Sequence, residues 1–236
     1  CKDGRILGIH DPGGMADQVV WPADRLVDVG DLDLQQAALL ADAGATAHHA
    51  LRLAGLVDGA ALGVIGAGGL GTQVLQLARL LLPLSRIVAV TRSDASTERA
   101  WSLGASAVQG LEDAARRVRS EAGELDAVVD FSGSAAAVAE AARMLRRGGR
   151  LVLGSVVDEP LDLGTTVTGF VTRELQVVGA YTSSIEDLRA VAGLAVAGRL
   201  DVSGSVSAVM ALDDAAGAFE MVSQRPAGLV RLVLQP

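Results

Sequence analysis

The chain of 236 residues contains one cysteine, one lysine and no apolar segment long enough to cross a bilayer. The single cysteine, Cys1, excludes an internal disulfide and suits a reducing compartment, so a cytoplasmic location is expected. Arg79 and Pro83 interrupt the leucine-rich stretch between residues 74 and 84, and no signal peptide is recognisable. The sequence therefore predicts no membrane association.

Positive charge is scarce as well. The chain has 20 Lys and Arg residues against 28 Asp and Glu residues, which gives a formal net charge of −8. This balance argues against nucleic acid and against anionic membranes as partners, although it leaves room for a local basic pocket that binds a phosphate. Half of the residues are hydrophobic, so a soluble globular protein with a sizeable core is expected.

Short β-branched segments alternate with alanine-rich segments from about residue 60 to residue 180, a pattern typical of a parallel sheet with crossover helices. Strands are predicted at residues 61–65, 86–90, around 107, 127–131, 150–154 and 175–179. Helices are predicted at residues 70–82, 96–103, 113–122 and 135–145, where apolar residues recur at three- and four-residue spacing. The predicted fold class is α/β, a six-stranded parallel Rossmann sheet flanked by helices.

The two ends of the chain, residues 1–43 and 182–236, do not follow this alternation and look like parts of another unit. In the C-terminal part, helices are predicted at 184–197 and 213–223, an extended segment through 206 and a final strand at 229–234.

The segment VIGAGGLG, residues 64–71, has the G-x-G-x-x-G spacing between the first strand and the first helix. Gly66 permits a tight turn, Gly68 lets the backbone approach a pyrophosphate, and Gly71 allows close packing of helix on strand. The amides of Gly69 and Leu70 then point at the anion from the helix N-terminus. In a chain with 28 glycines the spacing alone is weak, but the strand-loop-helix context favours dinucleotide binding over an ordinary loop.

The end of the second strand bears on which dinucleotide binds. Proteins that bind NAD place an acid there for the ribose hydroxyls, whereas this chain has Thr91 followed by Arg92. An uncharged residue beside a guanidinium suits a 2′-phosphate, so NADP(H) is favoured over NAD(H). The alternative is that Arg92 is merely solvated and that Asp94 serves the ribose of NAD.

The segment LADAGATAHHALRLAG, residues 40–55, places Asp42 among apolar residues, where a buried acid has to be paired, protonated or bound to a metal. From the residues alone, Asp42 could also cap the helix that follows. In a continuous helix Asp42 and His49 would share one face and His48 would lie to the side, and neighbouring histidines rarely converge on one metal. His10 lies in a predicted loop and is expected to be exposed.

Several motifs along the chain are shared with a known family. They are GGMADQVVWPADRLVDVGDLDLQQAALLADAGATAHHAL, VIGAGGLGTQVLQLARLL, VVDFSGS, LRRGGRLVLG, RELQVVGAY and AGRLDV. Together they resemble the zinc-dependent alcohol dehydrogenases of the medium-chain dehydrogenase/reductase superfamily. Members of that family begin with a segment of roughly one small domain that has no counterpart here. We therefore expect the chain to be part of a longer protein.

By this resemblance, Asp42 matches the third protein ligand of a catalytic zinc, and the other two ligands, a cysteine and a histidine, would lie in the absent segment. Thr46 matches a residue beside the nicotinamide. Cys1 matches the last cysteine of a structural zinc lobe, with an unbound terminal cysteine as the alternative. The resemblance makes His48 and His49 packing residues or neighbours of the ligands.

Further cofactor contacts are implied at the ends of the later strands. Gly154, Ser155 and Ala180 would line the nicotinamide through their backbones. Ser132 follows the fourth strand, at the edge where open α/β sheets bind ligands. Arg231 matches a pyrophosphate-contacting arginine of some relatives, with a solvated surface arginine as the alternative.

The domains implied by the resemblance are a remnant of a β-rich GroES-like catalytic domain at 1–43, a Rossmann domain at 44–181 and a segment returning to the catalytic domain at 182–236. The implied function is hydride transfer between NAD(P)(H) and an alcohol, ketone or aldehyde, with zinc as Lewis acid in the full-length protein. The chain alone is expected to bind cofactor without turnover.

Two rival functions stay open. One is a zinc-free NADPH-dependent quinone or enoyl reductase, which Thr91 and Arg92 suit, and the other is a non-catalytic dinucleotide-binding module. A homodimer or homotetramer is expected, because relatives join their sheets near the position of Tyr181.

Overall fold

The structure, a computed structural model, describes residues 5–224, 226 and 228–236. The described helices are α1 (Leu34–Leu39), a π-helical turn (Leu40–Gly44), α2 (Ala45–Ala54), α3 (Gly69–Leu81), α4 (Asp94–Ser102), α5 (Ala114–Ala122), α6 (Ala135–Met144), α7 (Val167–Thr172), α8 (Ile185–Val196) and α9 (Ala215–Gln224). The described strands are β1 (Ala61–Ile65), β2 (Arg86–Thr91), β3 (Ser106–Gln109), β4 (Leu125–Asp130), β5 (Leu145–Leu153), β6 (Gln176–Gly179), β7 (Val206–Ala211) and β8 (Arg231–Gln235). Cys1, the predicted structural zinc ligand, lies outside the described residues.

Strands β1 to β6 form one parallel sheet in the order β3-β2-β1-β4-β5-β6. Each strand predicted between residues 60 and 180 is present, so the predicted fold class is confirmed. The largest difference is in β5, which begins at Leu145 instead of residue 150 and leaves almost no connection after α6. The strand order reverses beside β1, and such a switch point opens a ligand crevice at the carboxyl edge of the sheet.

The sheet is buried on both faces, as parallel sheets require. Leu62 and Val64 of β1 belong to a core shared with α2, α3 and α8, while Ala61 and Ile65 belong to a second core shared with α5 and α6. Because both faces of β1 are covered, its sequence is apolar throughout instead of alternating.

Helix α1, the π-helical turn and α2 follow one another without interruption from Leu34 to Ala54, across the domain boundary predicted at 43/44. The carboxylate of Asp33 caps this segment by accepting hydrogen bonds from the N–H groups of Gln35 and Gln36 at 3.1 Å. Asp42 lies within the π-helical turn, so the interpretation of Asp42 as a cap is wrong.

The assumption that Asp42 is buried among apolar residues is also wrong, because its side chain is 75% exposed. Asp42 lies on the solvent side of the π-helical turn, where its carboxylate keeps its hydration.

The C-terminal part packs partly on the main sheet. Helix α8 contacts α2, and β7 and β8 form a separate parallel pair that is connected by α9. The predicted extended segment up to residue 206 becomes a strand only from Val206 onward. Within residues 5–224, 226 and 228–236, no helix is both long enough and apolar enough to cross a bilayer.

Candidate functional site

The glycine loop, residues 66–71, joins β1 to α3 at the carboxyl edge of the sheet, and its glycines differ in what surrounds them. Gly66 has φ +88°, and a Cβ there would lie 3.2 Å from the carbonyl of Phe131. A Cβ at Gly71 would overlap the carbonyl oxygen of Gly66. Gly68 has no heavy atom within 4 Å of where its Cβ would be. Gly66 and Gly71 are therefore required by packing, whereas the space beside Gly68 is free.

Helix α3 begins directly on this loop. Its first helical hydrogen bond runs from the N–H of Thr72 to the carbonyl of Gly68, 2.9 Å. The amides of Gly69, Leu70 and Gly71 precede that bond and have no acceptor inside the helix, which is the arrangement that binds anions at helix N-termini.

Two guanidinium groups flank the glycine loop. That of Arg231, in β8, lies against Gly69, whose Cβ would be 2.7 Å from Cζ of the arginine. Arg99, in α4, donates from Nη1 to the carbonyl of Ala67 at 3.0 Å. The sequence signalled Arg231 only through family resemblance, and it gave no sign of Arg99, because an arginine on a crossover helix follows no fixed spacing from the loop.

At the end of β2 the hydroxyl of Thr91 is buried and lies 2.7 Å from that of Thr97. Arg92 follows and is exposed. Asp94, the alternative partner of a ribose, accepts a hydrogen bond from Nε2 of Gln109 at 2.9 Å. A guanidinium, and no carboxylate, thus comes directly after the strand.

The end of β4 meets the glycine loop, since a Cβ on Gly66 would lie 3.3 Å from Cα of Ser132. The N–H of Ser132 donates to Asp130 at 2.8 Å, but its Oγ is buried and has no hydrogen-bond partner among the described residues. Burial raises the pKa of Asp130 against the opposing hydrogen bond from the backbone N–H of Ser132. An unpaired hydroxyl at this edge is a donor and acceptor available to a ligand.

The neighbouring backbone is held tightly. The N–H of Gly133 donates to Oγ of Ser155 at 2.9 Å, and the N–H of Ala180 donates to the carbonyl of Leu153 at 2.8 Å. A Cβ at Gly154 would collide with the ring of Phe131. The structure thus brings the predicted residues of this edge together.

Thr46 is buried in α2, one turn after Asp42. Nη2 of Arg231 lies 3.5 Å from Oδ2 of Asp42, so the same arginine that covers the glycine loop also contacts the predicted zinc ligand. Within the described ranges, no group of three or more His, Cys, Asp or Glu side chains has an arrangement that could hold a metal ion. A catalytic zinc takes three protein ligands, so the described residues alone do not form such a site and supply at most Asp42.

His48 and His49, interpreted as packing residues or neighbours of the ligands, both contact one buried carboxylate. Their Nδ1 atoms lie 2.7 and 2.9 Å from the two carboxylate oxygens of Asp187, at the start of α8. Arg52 donates to the same carboxylate at 3.0 Å, and Ser184 donates through its N–H and Oγ. Burial alone would raise the pKa of Asp187, but these hydrogen bonds outweigh it and hold the pKa well below its usual range.

The sequence does not identify Asp187 as a site residue. The only sequence signal is its place three residues after Ser184, which is typical of a capping box. That local role is present, but nothing local indicates contacts with histidines more than 130 positions earlier. His10, in contrast, is exposed as predicted.

A cleft of about 440 Å³ lies beside Asp42 and Arg231, between the π-helical turn, α9 and β8. Apart from these two charged residues its lining is apolar. It is lined by Met15, Ala38, Leu39, Ala43, Ala218, Phe219, Val222, Leu232, Val233 and Leu234.

The strand order and the glycine loop define a Rossmann-type α/β protein. The model of the family described as zinc-binding dehydrogenase matches residues 69–197, more than half of the chain. The chain belongs to this family of oxidoreductases, which confirms the resemblance found in the sequence.

Individual relatives agree with this assignment. The chain is 29% identical to an alcohol dehydrogenase of Geobacillus stearothermophilus over 91% of its own length and 63% of that protein. It is 30% identical to an NAD-dependent alcohol dehydrogenase of Sulfolobus acidocaldarius, over 93% of this chain and 64% of the relative. A zinc-binding dehydrogenase from Sinorhizobium meliloti, solved bound to NADP, superimposes with a TM-score of 0.88 at 27% identity, covering all of this chain and 70% of that one. The chain thus spans less than two-thirds of the alcohol dehydrogenases that it matches in sequence.

Proposed function

We propose that this chain binds NADP(H) at the glycine loop and forms the cofactor-binding part of an alcohol dehydrogenase. The observation that carries the proposal is the free space beside Gly68, in a loop whose other two motif glycines are fixed by packing. The pyrophosphate would lie at this space, against the amides of Gly69 and Leu70 and the guanidinium of Arg231.

The preference for NADP(H) over NAD(H) rests on the end of β2. Arg92 is exposed and free to fork onto a 2′-phosphate, while the hydroxyl of Thr91 is engaged with Thr97. The NADP in the Sinorhizobium meliloti relative supports the same preference. The relative of Sulfolobus acidocaldarius is NAD-dependent, so the affinities for NADPH and NADH have to be compared by measurement.

The nicotinamide end would lie at the carboxyl ends of β4, β5 and β6. Ser132 would offer its unpaired Oγ to the ribose or carboxamide, and Gly154, Ser155 and Ala180 would hold the ring through their backbones. The bound nicotinamide supplies or accepts a hydride. The residues of this chain position it and keep water from one face, with Thr46 as the candidate contact from α2.

Asp42 would contribute one ligand to a zinc in a longer protein whose other ligands lie outside this chain. The apolar cleft beside it suits an uncharged alcohol, ketone or aldehyde. Since the described residues supply only this one ligand, we expect the chain by itself to bind the cofactor without dehydrogenase turnover.

Calorimetric titration of the chain with NADPH and with NADH tests the proposal. Saturable one-site binding is expected, tighter for NADPH by about tenfold, the value of one charge-assisted phosphate contact at an exposed site. Absence of binding to either nucleotide contradicts the function, whereas tighter binding of NADH contradicts only the assignment of Arg92.

We also propose a homodimer or homotetramer in which the sheets join through β6. This strand is the edge of the sheet within the described residues, and Tyr181, just beyond it, is 63% exposed. Sedimentation velocity of the wild type and of Gly179→Pro, which removes an N–H that points away from β5 at the free edge of β6, tests this. The variant should be monomeric, and a wild-type monomer contradicts the proposal.

A further inference from the structure

Arg231 lies between the glycine loop and Asp42, so a cofactor bound at the loop would compete with Asp42 for its guanidinium. Cζ, Nε and Nη1 of its guanidinium lie against Gly69, at distances of 2.7, 2.8 and 3.1 Å from where a Cβ would be. Nη2 points the other way and lies 3.5 Å from Oδ2 of Asp42. One cation thus spans the gap between the predicted metal ligand and the predicted pyrophosphate site.

We infer that Arg231 is shared between Asp42 and the cofactor pyrophosphate, so that the free carboxylate of Asp42 holds back dinucleotide binding. The inference rests on the proposed function, since it requires a dinucleotide at the glycine loop. It concerns the regulation of that site by a residue that need not touch the cofactor.

The competition follows from charge and geometry. A phosphate takes two parallel hydrogen bonds from one guanidinium, and Nη2 is one of the two donors. Asp42 contacts this same nitrogen. The carboxylate also cancels part of the positive charge that faces the anion. Binding of the pyrophosphate therefore has to weaken the contact between Arg231 and Asp42.

The exposure of the pair sets the size of the effect. The side chain of Asp42 is 75% exposed and that of Arg231 30%, so the pair is screened by solvent and easily broken. We expect the presence of the carboxylate to lower cofactor affinity by about two- to fivefold. The coupling is reciprocal, so a bound dinucleotide leaves the carboxylate freer to bind a cation.

A double-mutant cycle tests the inference with NADPH as the probe, measured by calorimetry at low ionic strength. Asp42→Asn should tighten NADPH binding by about two- to fivefold, because the amide releases Arg231. Arg231→Gln should weaken binding by about tenfold. In the Arg231→Gln background, Asp42→Asn should change the affinity by less than about 1.5-fold.

Asp58→Asn is the matched control, because Asp58 is an exposed acid between α2 and β1, at the opposite edge of the sheet. It should leave the affinity unchanged. Arg231→Lys gives a second variant that keeps the charge and loses the fork, and the effect of Asp42→Asn should shrink in that background too. Thermal melts confirm that each variant is folded.

Three results overturn the inference. If Asp42→Asn tightens binding equally in the wild-type and Arg231→Gln backgrounds, the carboxylate acts by general repulsion and Arg231 is not shared. If Asp42→Asn leaves the affinity unchanged or lowers it, there is no competition. If the wild-type protein does not bind NADPH at all, both the proposed function and the inference are wrong. If it binds NADPH but Asp42 and Arg231 show no coupling in the cycle, only the inference is wrong.

Discussion

Gly71 lies so close to the carbonyl oxygen of Gly66 that no side chain fits between them. This contact joins the first turn of α3 to the end of β1 and sets the shape of the loop between them. Three residues earlier, at the N-cap of the same helix, Gly68 has no such neighbour. The same motif thus contains one glycine needed for packing and one needed only if something binds.

Alanine substitutions separate these two roles. Gly71→Ala should destabilise the protein by about 3 kcal/mol, because the added Cβ displaces backbone in a packed core. Gly68→Ala should change stability by less than about 1 kcal/mol, since its φ of −88° suits any residue. Yet it should weaken NADPH binding by about tenfold or more, since the Cβ would occupy the phosphate space. Urea unfolding and calorimetry measure the two effects, and normal NADPH affinity in Gly68→Ala would count against the site.

Arg92 should govern the choice between the two nicotinamide cofactors. Arg92→Ala should weaken NADPH binding by about tenfold and leave NADH binding unchanged, because only NADPH carries the 2′-phosphate. Arg86→Ala, at the amino end of the same strand, is the control and should affect neither. An equal loss for both cofactors would show that Arg92 does not contact the 2′-phosphate.

The carboxylate of Asp187 should stabilise the junction of α2 with α8. Asp187→Asn should lower the free energy of unfolding by about 2 to 3 kcal/mol near pH 7, less than for a fully buried pair because Arg52 is 58% exposed. Glu186→Gln, next to it and exposed, should have little effect. Chemical denaturation of the three proteins measures this.

The pH dependence of that difference follows from the lowered pKa of Asp187. A carboxylate whose pKa is lower in the folded state adds stability above its unfolded pKa, and this stability is lost as pH falls toward the folded pKa. The difference between wild type and Asp187→Asn should therefore shrink as the pH falls below about 4. A difference that stays the same below about pH 4 contradicts the assignment.

Ser132 and Ser155 should respond differently to loss of their hydroxyls. Ser132→Ala should not destabilise the protein, because its buried Oγ has no partner to lose, but it should weaken NADPH binding by about two- to tenfold. Ser155→Ala should cost about 1 kcal/mol of stability, because Oγ of Ser155 accepts the hydrogen bond from Gly133. Thermal melts and NADPH titrations of both variants check this, and loss of stability in Ser132→Ala would reveal an unseen structural partner.

The sheet could be predicted from the sequence because its signal is local. A strand covered on both faces reads as a short apolar run, as in Ala61–Ile65, and the glycine spacing after it indicates the loop. The end of β5 nearest α6 was missed because Arg146 and Arg147 break the apolar run, although the backbone there continues as strand.

The site could be predicted only in part, because its missing members depend on long-range contacts. The π-helical turn changes which side chains of the segment share a face, so the exposure of Asp42 could not be read from a regular helix. His48 and His49 lie in the regular helix α2 and meet Asp187 only because α8 packs against it. Arg99 and the pairing of Arg231 with Asp42 likewise join distant parts of the chain.

The most direct test of cofactor binding at the glycine loop is an NMR titration of the 15N-labelled chain with NADPH. The largest amide shifts should fall on Gly68, Gly69 and Leu70, accompanied by the side-chain Nε–H of Arg231, while the amide of Asp58 should not move. Shifts that leave these groups unchanged, or no saturable shifts at all, would contradict the account.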